Sequence, residues 1–218
     1  MATAREEVLA LVSEALRDVP AAEDLEQVPA PQNRAGAPAG DGDPRARARR
    51  FAERVADDRA AVRRVHPGEL PAAVEDALRA RGVRRLIVPP DLPDSWRPAG
   101  VELLVDGELA NDVLDAADGV LTGCALGIAE TGTVVLDGGA RQGRRAMTLL
   151  PDYHLCVVEA SRIVETVPEA IAALDDATRE RRPITFVSGR SATATAELRR
   201  VAGVHGPRSL EVLVVEPS

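Results

Sequence analysis

From His66 onward the chain alternates short, almost wholly apolar runs with segments of helical periodicity, and this restricts the fold more than any other feature. Leu86-Ile-Val88, Val101 to Val105, Gly119-Val-Leu-Thr122, Thr133-Val-Val-Leu136, Tyr153 to Val158, Ile184 to Val187 and Leu210 to Val215 each read as strands. A strand with one wet face alternates polar and apolar residues, whereas one that is apolar throughout is covered on both faces. Between the runs, Leu70, Ala73, Val74, Ala77 and Leu78 form a helical stripe, with Pro71 near its start and Gly82 just past its end. Thr166 and Glu169 make a capping box ahead of the stripe Val167, Ala170, Ile171 and Leu174. Thr193 to Ala202 reads as a short helix before the last strand. The expectation is an α/β domain over residues 66–218, its sheet lying between two outer layers.

The first 65 residues have a different grammar. Val8, Leu11, Val12, Ala15, Leu16 and Val19 recur at helical spacing until Pro20. Residues 20–44 are rich in Pro, Ala, Gly and Asp, which predicts a flexible linker. Arg45 to Arg64 then predicts a charged helix with Phe51, Val55 and Val62 on one side. Its arginines are followed at once by Glu53, Asp57 and Asp58, so a solvated face suits it better than an RNA-binding arm.

Composition removes whole classes of chemistry. All 27 basic residues are arginine, so Walker A phosphate loops, pyridoxal Schiff bases and lysine nucleophiles are excluded. The two cysteines, Cys124 and Cys156, cannot ligate a four-thiolate cluster and suit two buried thiols in a reducing compartment. Three isolated histidines argue against a metal site. A net charge of −8 gives no footprint for nucleic acid. Arg5, Glu6 and Glu7 interrupt the start of the chain, and the uncharged stretch from Gly119 to Ala129 is too short to span a bilayer. A cytoplasmic protein without membrane contact is expected.

Three glycine-punctuated segments could carry chemistry. In Ile128-Ala-Glu-Thr-Gly-Thr133 a single carboxylate, Glu130, sits between apolar runs beside Thr131, Gly132 and Thr133. Partial desolvation there would suit a general base or nucleophile; a tight strand connection is the alternative. In Val187-Ser-Gly-Arg-Ser-Ala-Thr193 a strand ends and the expected helix begins. Ser188, Gly189, Arg190, Ser191 and Thr193 would there hold a small anion, or simply cap an ordinary turn. In Gly203-Val-His-Gly-Pro-Arg208, His205 is a candidate acid or base beside Gly206, or a loop organiser. His154 reads as a core or edge histidine and His66 as a surface one.

In combination these segments resemble the LUD domain family, whose best-known members are lactate-utilisation proteins of the C type. The matching stretches are Gly127-Ile-Ala-Glu-Thr-Gly-Thr-Val-Val-Leu136, Leu149-Leu-Pro-Asp-Tyr-His-Leu155, Ser188-Gly-x-Ser-x-Thr193 and Gly203-Val-His-Gly-Pro-Arg208. They lie within about residues 80–216. The resemblance implies a three-layer α/β/α sandwich similar to the sugar-phosphate isomerase and coenzyme A transferase superfold. It also implies a non-redox role in oxidising L-lactate to pyruvate, with no cofactor in this chain and iron–sulfur clusters in partner oxidoreductase subunits. It supplies positions for Glu130, His205 and the ligand-binding candidates, not their roles. Family members have Pro, a basic residue and Asp where this chain has Arg190, Ala192 and Thr195. The superfold leaves one alternative open: a free-standing enzyme for a phosphorylated or coenzyme A-linked metabolite, with Glu130 as base or nucleophile.

Overall fold

The computed structural model describes residues 4–15, 17, 43–58, 60–189, 192–194, 200–202 and 206–216. Arg190, Ser191 and His205 lie outside the described residues, as does the expected linker up to residue 42. The chain divides into two units, Met1–Gly36 and Ala37–Ser218. The first contains helix α1 (Ala4–Ala15), on which Val8, Leu9, Leu11 and Val12 are exposed.

The second unit begins earlier than residue 66, because the segment before it belongs to the same core. Helix α2 (Pro44–Asp57) starts on Asp43, whose carboxylate accepts from the Arg45 amide at 3.0 Å, and on Pro44, whose fixed φ suits a first helical residue. Its face of Ala48, Phe51, Ala52 and Val55 is buried. The helix ends seven residues before the expected Arg64, and Val62 lies instead in strand β1 (Ala61–Val65). Pairing with the last strand gives this run a backbone ladder, which its β-branched Val62 and Val65 favour over further helix.

The chain then runs through α3 (Leu70–Arg81), β2 (Arg85–Val88), β3 (Glu102–Val105), α4 (Asn111–Asp115) and β4 (Gly119–Thr122). The short strands β5 (Leu126–Ile128) and β6 (Thr133–Leu136) precede β7 (Tyr153–Glu159) and β8 (Ile163–Val164). After α5 (Val167–Ala173) and α6 (Asp175–Arg179) come β9 (Thr185–Val187), β10 (Ala192–Ala194), β11 (Arg200–Ala202) and β12 (Ser209–Val215). Gly82 closes α3 in the left-handed conformation that glycine adopts without a Cβ penalty. At the start of α5 the Thr166 hydroxyl accepts from the Glu169 amide, and the Glu169 carboxylate reaches back to the amide of Glu165.

The expected helix over Thr193 to Ala202 is not formed. β10 and β11 pair antiparallel, with Thr193 opposite Val201. The alternating Ala-Thr-Ala of β10 has the period of a strand, and its β-branched threonine is a poor helix former.

Six strands form a parallel sheet in the order β1-β12-β7-β4-β2-β3. Alternate side chains face opposite ways. Leu86, Leu121, Leu155, Val157 and Leu213 pack on one face against Leu70, Val74, Ala77 and Leu78 of α3. On the other face Cys156, Val158, Val212 and Val214 meet Phe51 and Val55 of α2, while Ile87 and Val120 meet Leu114 of α4. Both faces of the central strands β2, β4 and β7 are dry, which is why these are nearly apolar throughout, whereas the edge strands β1 and β3 stay partly exposed. The expected three-layer sandwich is therefore present, with a small sheet of order β8-β5-β6-β9 sharing the α2 side.

Candidate functional site

The two glycine motifs read as a possible site come together, but as parts of one joint. The loop between β5 and β6 carries Glu130 to Gly132, and Ser188 follows β9. Thr131 Oγ1 lies 2.7 Å from Thr133 Oγ1, which lies 2.7 Å from Ser188 Oγ. This string of three hydroxyls ties together segments 55 residues apart. Gly132 (φ +65°) and Gly189 (φ +69°) both face the end of α2. A Cβ on Gly132 would lie 2.6 Å from the Arg54 carbonyl carbon, and one on Gly189 would lie 2.7 Å from the Asp58 carbonyl oxygen. Their small size thus admits a helix backbone. Glu130 is exposed rather than desolvated, and its amide donates to the Glu165 carbonyl at 3.0 Å. The expected helix N-terminus beyond Ser188 is replaced by a strand, so its dipole is not available to hold an anion. Thr193 lies in that strand.

The other two motifs meet at the amino ends of adjacent strands. Ser209 pairs with Tyr153, its amide bonds the Asp152 carbonyl, and Arg208 reaches the Asp152 carboxylate at 3.3 Å. Gly206 leads into this junction, half-buried. Tyr153 donates to Glu211 at 3.1 Å and stacks under Arg81; burial, reinforced by Glu211, holds its phenol protonated far above the ordinary range. His154 is a core histidine, its Nε2 lying 2.7 Å from the Thr122 hydroxyl. Both cysteines are buried free thiols.

Sequence reasoning missed the third constellation, at the carboxyl ends of β2, β4 and β7, the edge where open parallel sheets bind ligands. Arg141 holds φ +63°, uncommon for a residue with a side chain. Its amide donates to Asp91 at 2.6 Å, its carbonyl accepts from Gly123 at 2.7 Å, and its guanidinium reaches Glu159 at 2.7 Å while lying 5.2 Å over the Trp96 ring. Arg162 holds the second Glu159 oxygen at 3.3 Å. Burial alone would raise the Glu159 carboxyl, but Arg141 and Arg162 outweigh it and keep the group below the ordinary carboxylate range.

Beside this cluster a cavity of about 560 Å³ is lined by the apolar Leu126, Val164 and Leu174 and by the polar Ser161, Arg162 and Arg182. The turn after β6 contributes Asp137, Gly139, Ala140 and Gln142 to the lining. Buried Asp137 accepts from the Gly139 amide, from Gln142 Nε2 and from Arg182 Nη1 at 2.7–2.9 Å. A Cβ on Gly139 would lie 2.9 Å from that Nη1, so the bare glycine lets the guanidinium in. Among the described residues no cluster of three His, Cys, Asp or Glu is arranged to hold a metal ion.

Comparison with known proteins assigns the family. The LUD domain matches residues 104–215, just over half of the chain. The chain belongs to the LUD domain family. Lactate utilization protein C of Deinococcus radiodurans is 50% identical over 166 residues, 76% of this chain and 77% of that protein. Lactate utilization protein C of Halalkalibacterium halodurans is 36% identical over 115 residues, about half of each chain. The crystal structure of a duf162 family protein from Deinococcus radiodurans superposes with a TM-score of 0.70 at 43% identity, covering 80% of this chain and 99% of that one.

The matched part of the LUD domain contains the hydroxyl string, the Arg141–Glu159–Arg162 cluster and every residue of the cavity. Helix α2, on which Gly132 and Gly189 rest, lies before it. The sequence signals that could have revealed the cavity are modest. They are an Asp-Gly-Gly turn followed by Arg141 and Gln142, and charged residues placed directly after apolar strands.

Proposed function

We propose that this LUD domain protein is a lactate-utilisation protein, a non-redox subunit assisting the oxidation of L-lactate to pyruvate in the cytoplasm. The observation that carries the reading is 50% identity, over three quarters of both chains, to a protein named Lactate utilization protein C. The reaction removes two electrons and two protons from the alcohol group, one proton from its C–H and one from its O–H. This chain's two buried cysteines do not supply the thiolate set of a cluster, and in this reading the electrons pass to iron–sulfur centres of partner subunits. No helix among the described residues is long and apolar enough to cross a membrane. In this role the arginine-rich carboxyl edge supplies binding and orientation, while Glu130, exposed on its loop, takes no part as a desolvated base.

Purification of the tagged chain from its native host tests this. Brown, iron-containing partners that reduce a dye when L-lactate is added are expected. A colourless, partner-free protein from lactate-grown cells would overturn the reading.

A further inference from the structure

The cavity after β6 is lined by charged and polar groups that the fold uses only in part, and these point to a ligand. Arg162 lines it and is held by Glu159, which Arg141 also binds, while Asp91 accepts from the Arg141 amide. Arg182 also lines it and is shared by two carboxylates, Asp137 and Glu180. Leu126, Val164 and Leu174 supply the apolar part of the lining.

The guanidinium of Arg162 is anchored yet incompletely used. Its Nε donates to Glu159 and its Nη1 to the Ala125 carbonyl, both at 3.3 Å, while Nη2 has no protein acceptor among the described residues. The neighbouring Ser161 hydroxyl likewise has no protein hydrogen bond there, and both residues line the cavity. A guanidinium fixed in plane by two bonds, with a donor to spare and a hydroxyl beside it, suits a carboxylate. Burial disfavours the charge of Arg182, but Asp137 and Glu180 outweigh it and keep that guanidinium firmly protonated. Glu180, two-thirds exposed, remains able to accept from a ligand. A volume of about 560 Å³ suits a small metabolite rather than a macromolecule.

We propose that this cavity binds an organic acid that carries a hydroxyl or ammonium group at its far end. The carboxylate lies against Arg162 and Ser161, the apolar body against Leu126, Val164 and Leu174, and the donor group toward Glu180. The assignment stands on the cavity alone and does not depend on the lactate reading or on a partner subunit.

Titration calorimetry on the full chain with 6-aminohexanoate, hexanoate and 6-aminohexanamide tests it. Saturable binding of 6-aminohexanoate is expected. Converting its carboxylate to the amide should weaken binding about tenfold or more, the worth of a charge-assisted hydrogen bond. Removing the amine, which meets a largely exposed partner, should cost only about two- to fivefold. Arg162→Gln should reproduce the loss seen with the amide, and Ala173→Trp, at an exposed position of α5 on the cavity rim, should block binding while circular dichroism stays native. The proposal is overturned if the amide binds as well as the acid, if natively folded R162Q binds unchanged, or if 6-aminohexanoate gives no saturable heat at millimolar concentration.

Discussion

Replacing Gly132 with alanine adds one methyl group, and the structure says where it goes. The Cβ would lie 2.6 Å from the Arg54 carbonyl carbon, 2.7 Å from Arg54 Cβ and 2.7 Å from the Val55 amide nitrogen. These atoms are helix backbone and the root of a side chain, so α2 must shift as a body. Two costs add. Holding alanine at φ +65° costs about 1–2 kcal/mol. Overpacking a filled contact costs about 1–3 kcal/mol more. The sum, about 2–5 kcal/mol, lowers Tm by roughly 4–20 °C for a chain of this size. Gly82→Ala is the matched control, because Gly82 sits at φ +67° with nothing within 4 Å of its missing Cβ. It should lose only the backbone part, about 1–2 kcal/mol. Thermal and urea unfolding of both variants give the comparison. Equal losses would show that α2 does not press on Gly132, and would return the Glu-Thr-Gly-Thr motif to a ligand-binding role.

Other outcomes follow from particular contacts. Asp106 is buried and holds Arg144 through two bonds at 2.8 and 3.1 Å, while Arg144 also donates to the Leu109 carbonyl. Arg144→Ala strands that carboxylate and should cost about 3–5 kcal/mol by urea unfolding, with Arg144→Ala/Asp106→Asn recovering part of the loss. Glu159 has a carboxyl held below its ordinary value in the fold. The stability it contributes is therefore complete above the unfolded carboxyl value and is lost as pH falls through the lower folded one. A Glu159→Gln variant should accordingly show a flatter decline in Tm below about pH 4.3, the ordinary glutamate value. A decline as steep as that of the parent chain would remove the Arg141–Glu159–Arg162 cluster from the acid response.

What could be read from the sequence follows from the range of the forces involved. The strands β4 and β6 and the helix α3 with Gly82 behind it are set by local periodicity and by a single left-handed residue. β5 and β8, of three and two residues, are too short to carry a period and exist through their pairing partners. The same limit explains the paired strands at 192–194 and 200–202, where strand pairing displaced an expected helix. At the site, the residues of the glycine motifs were visible, but the reason for the glycines was not. The neighbour of Gly132 is Arg54, seventy-eight positions earlier, and no local pattern records that contact. The cavity was hidden for the same reason, since Arg162 and Arg182 come from separate segments that only the fold brings to one cavity.

We propose that this LUD domain protein is needed for lactate oxidation while the redox centres lie in its partners. Its most direct test is L-lactate-dependent dye reduction in extracts of a host from which the gene has been deleted. The account predicts that the activity is lost and that adding the purified, colourless chain restores it. Undiminished lactate oxidation in the deletion extract would contradict it.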